Sequence, residues 1–138
     1  MKVRSYHSAD CAQVVELWDA VFPGATGHND PKASIDRKVA ADDGLFFVAA
    51  DGDSIIGTVL AGYDGHRGWL YSVAVAPDRR RDGIGSQLIR HAEQALAQLG
   101  CPKLNIQVRA DNAAVVAFYE SLGFQTEERI SMGKLIEK

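Results

Sequence analysis

Apolar residues along this chain recur with two different periods, and the changes of period mark its elements. Residues 3–6 read as a short first strand. Past Ser8, which suits an N-cap, Cys11, Val14, Val15, Trp18, Val21 and Phe22 recur at helical spacing, and Pro23-Gly24 ends that helix. Asp30-Pro31 opens a second helix reaching about Ala41, because proline lacks only a donor that the first turn would leave orphaned. Asp42-Asp43-Gly44 closes it. Residues 45–50 form an apolar strand, Asp51-Gly52-Asp53 supplies the turn, and residues 54–63 return as the second arm of a hairpin. A turn over 64–68 leads to a third strand of this meander at 69–76, which Pro77 stops.

From Gly83 the period becomes helical again. Ile84, Leu88, Ala92, Ala95 and Leu99 line one face, Gln87, Arg90, Glu93, Gln94 and Gln98 the other, and Gly100 and Pro102 end the helix. Residues 104–108 read as a strand, which makes a strand–helix–strand crossover. Residues 112–122 form a shorter helix with Val115, Tyr119 and Leu122 in register, stopped by Gly123, and the tail from Phe124 to about Ile136 supplies two final strands. The order predicts an α/β fold with a sheet of mixed direction. No repeat, low-complexity tract or linker divides the chain, so one domain over residues 1–138 is expected.

Composition narrows the class. At 138 residues, 46% apolar and 24% charged, the chain matches an ordinary globular domain able to bury a core. The opening residues are not signal-like and no apolar run is long enough to span a bilayer, which points to a cytoplasmic protein without a membrane partner. A net charge of −3 disfavours nucleic acid as a bulk partner. Cys11 and Cys101 lack metal-ligand spacing, so neither a zinc site nor a disulfide is expected, and burial as a small hydrophobe is the ordinary fate of a free cysteine.

Candidate chemistry concentrates where the third meander strand gives way to its helix, Val73-Ala74-Val75-Ala76-Pro77-Asp78-Arg79-Arg80-Arg81-Asp82-Gly83-Ile84-Gly85-Ser86. Orphan N–H groups at a helix start, with the positive end of its dipole, make an anion site. Gly83 and Gly85 let phosphate oxygens approach the backbone, and the arginines add charge-assisted donors; a pyrophosphate suits the arrangement. Two other phosphate loops are excluded. The dinucleotide fingerprint requires glycine where Leu88 stands, and no Gly-Lys-Ser or Gly-Lys-Thr of a P-loop occurs.

The junction resembles that of the GCN5-related N-acetyltransferases: Arg80-Arg81-Asp82-Gly83-Ile84-Gly85 matches [Q/R]-x-x-G-x-[G/A]. A second family motif follows at the expected distance, Asn112, Phe118-Tyr119, then Gly123-Phe124. Asn29-Asp30-Pro31, residues 62–68 and Gly100-Cys101-Pro102-Lys103 are further similar to the small bacterial YpeA-type acetyltransferases. The resemblance implies a mostly antiparallel sheet splayed between two adjacent parallel strands, with helices on both faces. It also implies an acetyl-coenzyme A co-substrate and no metal. The pyrophosphate loop then falls on Arg80, Arg81, Gly83, Ile84, Gly85 and Ser86. Backbone groups of Val73 and Val75 hold the pantetheine arm and thioester carbonyl in a gap between residues 71–75 and 105–108. Asn112 contacts the coenzyme, and Tyr119 donates a proton to the leaving thiolate.

Departures from the family pattern bear on the same residues. Arg81 stands where glycine is frequent, Arg79 where an aromatic residue is, and Asp82 where a base is; an acidic side chain there repels a pyrophosphate unless an arginine pairs with it. Residues 69–76 carry no carboxylate to serve as general base, which leaves Asp64, His66 or a water relay. The expected acceptor is a small-molecule or peptide amine, with Trp18, His28, Asn29 and Asp30 near it. A non-catalytic acyl-coenzyme A sensor with the same fold is the alternative, and a homodimer stays open.

Overall fold

In the computed structural model, which describes residues 1–137, the predicted periods become elements with small shifts at their ends. They are β1 (Lys2–Ser5), α1 (Cys11–Val21), α2 (Pro31–Ala41), β2 (Phe46–Asp51), β3 (Ser54–Tyr63), β4 (Gly68–Val75), α3 (Ile84–Gln98), β5 (Leu104–Asn105) and α4 (Ala113–Ser121). The chain divides into two compact units, Met1–Ile106 and Gln107–Lys138.

The first unit is one five-stranded sheet in the order β1-β2-β3-β4-β5, antiparallel throughout except for the parallel pair β4–β5. Alternation along β2 sends its side chains to two faces. Phe46, Val48 and Ala50 join Val14, Leu17, Trp18 and Ile35 in the core under α1 and α2. Phe47, between them, meets His91 of α3 edge-on at 4.6 Å on the opposite face. Helix α3 buries Ile84, Leu88, Ile89, Ala92 and Leu96. Ile89 and Leu96 replace Ala95 and Leu99 in the expected stripe, and Leu99 is 55% exposed because the helix stops one residue before it.

Two glycines set how closely α3 approaches the sheet. A Cβ on Gly57 would lie 2.9 Å from Leu88 and 3.0 Å from the Ala74 carbonyl, and one on Gly68 would lie 2.8 Å from the Cys101 sulfur. Cys101 thus fills a packing niche beside the start of β4.

The second helix begins as its sequence implies, with Asp30 accepting from the Ala33 amide and Pro31 in the first turn. In the second unit, Asn112 caps α4 by accepting from the Val115 amide, and Gly123 turns the chain at φ +96°. The two strands expected between Phe124 and about Ile136 are not formed: no residue of 124–137 pairs in a ladder. Ile130, Met132, Leu135 and Ile136 are exposed, at 70–95%. Alternation alone makes no strand without an edge to pair with.

The approach of β1 to α1 is fixed by one ion pair. Arg4 donates to both carboxylate oxygens of the buried Asp10, at 2.8 and 3.0 Å, and the His7 amide donates to Asp10 as well. The hydrogen bonds from Arg4 are the main reason the Asp10 carboxyl is held below the usual carboxylate range. A depressed native pKa adds stability that is present above the unfolded value, about 3.9, and is lost as pH falls through the native one. Asp10→Asn is expected to lower stability by about 1.5–3 kcal/mol at neutral pH, and to flatten the acid limb of a urea-denaturation series.

Candidate acetyl-transfer site

Strand β4 is pinned at one end and released at the other. Gly68 and Trp69 pair with Leu104 and Asn105, after which the ladder to β5 stops. Residues 70–75 therefore present an edge that β5 does not pair. The strand predicted over 104–108 survives only at Leu104–Asn105.

On its other edge β4 pairs with β3, and the register slips once. Thr58 faces Ala74 and Leu60 faces Tyr71, so Val59 stands opposite two residues, Ser72 and Val73. Ser72 takes up the extra residue at φ +49°, a left-handed conformation uncommon for a residue with a Cβ. Its carbonyl accepts a 2.9 Å hydrogen bond from the Thr58 hydroxyl, which itself accepts from the Trp18 indole at 2.8 Å.

Beyond β4 the chain makes a short 3-10 turn at Pro77–Arg79 and then the predicted loop. Arg81 and Gly83 both have left-handed backbones, φ +74° and +76°. No side chain caps the start of α3, and among the described residues no protein group accepts from the amides of Arg81, Asp82 or Gly83. A Cβ on Gly83 would meet nothing within 4 Å. These amides are left without an acceptor in the protein, as a helix start that binds a diphosphate requires.

Charge at the loop is sorted by pairing. Arg79 donates to Asp51 at 2.9 Å and lies 3.5 Å from Asp82, so one guanidinium pairs with two carboxylates and offsets one of their two charges. Asp82 is thereby the paired acid that a diphosphate site tolerates. Arg80 and Arg81 are exposed and make no ion pair among the described residues. Ile84 is buried and anchors the helix start, while Gly85 and Ser86 are half-buried in its first turn.

Tyr119 lies in the second unit on α4, its ring packed edge-on against Phe118 and Phe124 at 5.1 and 5.4 Å. The residue is only 6% exposed, and burial pushes the phenol up to about 12. The hydroxyl bonds to no protein group among the described residues, nor is it one of the sealed polar atoms, so its oxygen reaches solvent.

The remaining candidates have structural employment. Asp64 accepts from the amides of His66 and Arg67, both at 2.8 Å, and these bonds lower its pKa. It sits at the β3–β4 turn, where the sheet ends opposite the loop. Trp18 is buried at 3% exposure and faces Thr58, not a substrate. Asp30 caps α2, and the His28 carbonyl accepts from Ser34 and Arg37. A cavity of about 570 Å³ lined by Tyr6, Cys11, Lys32, Ile35, Asp36 and Phe46 opens at that same far end, remote from the loop. Sequence reasoning missed Thr58, Ser72 and Gly57. The signal for Thr58 was a hydroxyl inside an apolar run, which burial obliges to find partners.

Comparison with known proteins agrees with this geometry. The profile of the Acetyltransferase (GNAT) family matches residues 11–124, and the chain belongs to that family. It is 43% identical over 137 residues to acetyltransferase YE1169 of Yersinia enterocolitica, covering 97% of this chain and 94% of that protein. The ribosomal-protein-S18-alanine N-acetyltransferase of Escherichia coli superposes with a TM-score of 0.73 at 25% identity, covering 90% of this chain and 77% of that one. Aminoglycoside N-acetyltransferase AAC(6')-Iy, solved with coenzyme A, shares the fold with a TM-score of 0.80 at 20% identity, over 97% of this chain and 93% of its own. The protein is an acyltransferase with the mixed sheet of that family.

The two left-handed residues differ in what substitution does. Gly83→Ala is expected to lose about 1–2 kcal/mol from backbone strain alone, since no side chain clashes. Arg81→Gly relieves the same strain and raises stability by up to about 1 kcal/mol, read as a higher melting temperature.

Proposed function

We propose that residues 1–138 form a single acetyltransferase domain that moves an acetyl group from acetyl-coenzyme A directly to an amine in a ternary complex. The observation that carries this reading is the uncapped start of α3, whose neighbouring amides at Arg81, Asp82 and Gly83 find no protein acceptor among the described residues, beside the exposed Arg80 and Arg81. Support for one domain comes from the family match, which runs through both compact units. The proposed place of work is the cytoplasm and the proposed acceptor a small-molecule or peptide amine; among the described residues no helix is long and apolar enough to cross a membrane.

Bound acetyl-coenzyme A supplies the activated acyl group as a thioester. Amides of Arg81, Gly83 and Gly85, the first turn through Ile84 and Ser86, and the Arg80 and Arg81 guanidiniums hold its diphosphate. The unpaired edge of β4 at Val73 and Val75 binds the arm, and an amide there stabilises negative charge developing on the thioester oxygen. The Asn112 oxygen is committed to capping, which leaves its NH₂ to contact the coenzyme. The amine nitrogen attacks the carbonyl carbon; a C–N bond forms, the C–S bond breaks with Tyr119 passing its proton to the sulfur, and the amine proton leaves to water, from which the phenolate is reprotonated. A water relay fits better than Asp64, whose lowered pKa makes it a weak base.

Release of thiol from acetyl-coenzyme A over a panel of amines tests the reading. Turnover with at least one amine is expected, whereas coenzyme binding without turnover on any would favour a sensor. Tyr119→Phe is expected to lower kcat on the order of 10²-fold with coenzyme A affinity kept; unchanged turnover removes the acid role. Because Tyr119 keeps its proton to about 12, kcat/KM should climb as the acceptor amine deprotonates, with no falling limb up to about pH 10.5. A fall centred near pH 10 would mean that an ordinary phenol controls the rate.

A further inference from the structure

The hydrogen bonds that meet at Thr58 have only one polarity. An indole N–H only donates, so the Thr58 oxygen must accept from Trp18, at 2.8 Å. A carbonyl only accepts, so the Thr58 hydroxyl proton must go to Ser72, at 2.9 Å. Thr58 is fully buried, and its bond from Trp18 is buried with it, while its bond to Ser72 is part-buried. The rotor is locked.

What it locks is a peptide plane. Ser72 C=O and Val73 N–H belong to the same peptide unit, and that bond is trans like the others among the described residues, so the two groups point in opposite directions. With the carbonyl drawn toward Thr58, the Val73 N–H is directed away from β3. The backbone parity of β3 agrees. Ile56 turns its carbonyl to the β4 side, where the Ala76 amide donates to it, whereas Ala61 donates to Leu45 on the β2 side. Even-numbered β3 residues thus serve β4, and Val59, opposite the bulge, offers Val73 no ladder acceptor. The left-handed Ser72 would relax toward ordinary strand geometry without a restraint.

We propose that Thr58 and Trp18 are positioning residues for acetyl transfer: the Trp18–Thr58–Ser72 relay holds the β4 bulge so that the Val73 amide is aimed at the unpaired strand edge, where it meets the thioester oxygen. The role of that amide in catalysis rests on the acetyl-transfer reading; the aiming of the amide does not. A helix on one face of the sheet thereby sets the direction of a backbone donor on β4 without touching substrate.

Thr58→Val keeps the shape and removes both bonds, and Thr58→Ser keeps the hydroxyl. In isotope-labelled protein without coenzyme, the Val73 amide resonance should move in Thr58→Val and return in Thr58→Ser. In turnover, Thr58→Val should lower kcat about 10-fold or more, less than outright loss of an oxyanion donor, while Kd for coenzyme A stays within about two-fold. Thr58→Ser should restore kcat. A Val73 amide that ignores the substitution overturns the relay. Unchanged kcat beside a lowered melting temperature overturns its catalytic meaning, and leaves Thr58 as packing. Wild-type protein that binds no coenzyme A would instead sink the acetyl-transfer reading, and the Val73 amide would still decide whether the relay aims it. Trp18→Phe, which frees the Thr58 rotor while filling most of the space, serves if Thr58→Val does not fold.

Discussion

Backbone polarity in β4 is the constraint on which the rest depends. A strand inside a sheet normally spends its amides on two neighbours, but β4 is paired along only one edge past Trp69. Amides on the other edge become donors for whatever approaches. That is a liability for an exposed edge and an asset for a site that must recognise a thioester without a charged side chain. Pairing at Gly68, where Cys101 and Leu96 pack against the missing side chain, keeps the two strands together at one end so that they can part at the other.

Around that edge, electrostatics are arranged more by cancellation than by accumulation. A run of three arginines looks strongly basic, yet Arg79 is consumed by Asp51 and Asp82. This leaves two guanidiniums beside main-chain amides that find no protein acceptor among the described residues, a combination suited to a diphosphate through geometry as well as charge. Left-handed backbone at Arg81 and Gly83 is the conformational cost of presenting those amides together. Arginine at a position suited to glycine trades backbone ease for a further cation.

Much of this was legible in the chain itself. The helical stripes at Val14 and Trp18 and at Ile84, Leu88 and Ala92 set two helices, and the Asp51-Gly52-Asp53 turn set the hairpin. Asp30-Pro31 opened α2, and Asn112 opened α4. The loop motif marked the uncapped helix start at which we place a diphosphate. These features are local: caps, turns and periods depend on residues within a few positions of one another, so sequence carries them directly.

Other features required the fold. Trp18, one of four residues expected near the acceptor, is the buried donor to Thr58, forty residues away in the chain. Asp64, a candidate base beside His66 and a water relay, accepts two amides of its own turn. The final strands failed to form, because pairing depends on an edge that periodicity does not describe. Sequence by itself determined the helices, the hairpin and the loop whose residues suit a diphosphate. Only the tertiary structure decided which way the Ser72–Val73 peptide faces, because a peptide plane is turned by partners brought together through space, and their spacing along the chain leaves no local trace.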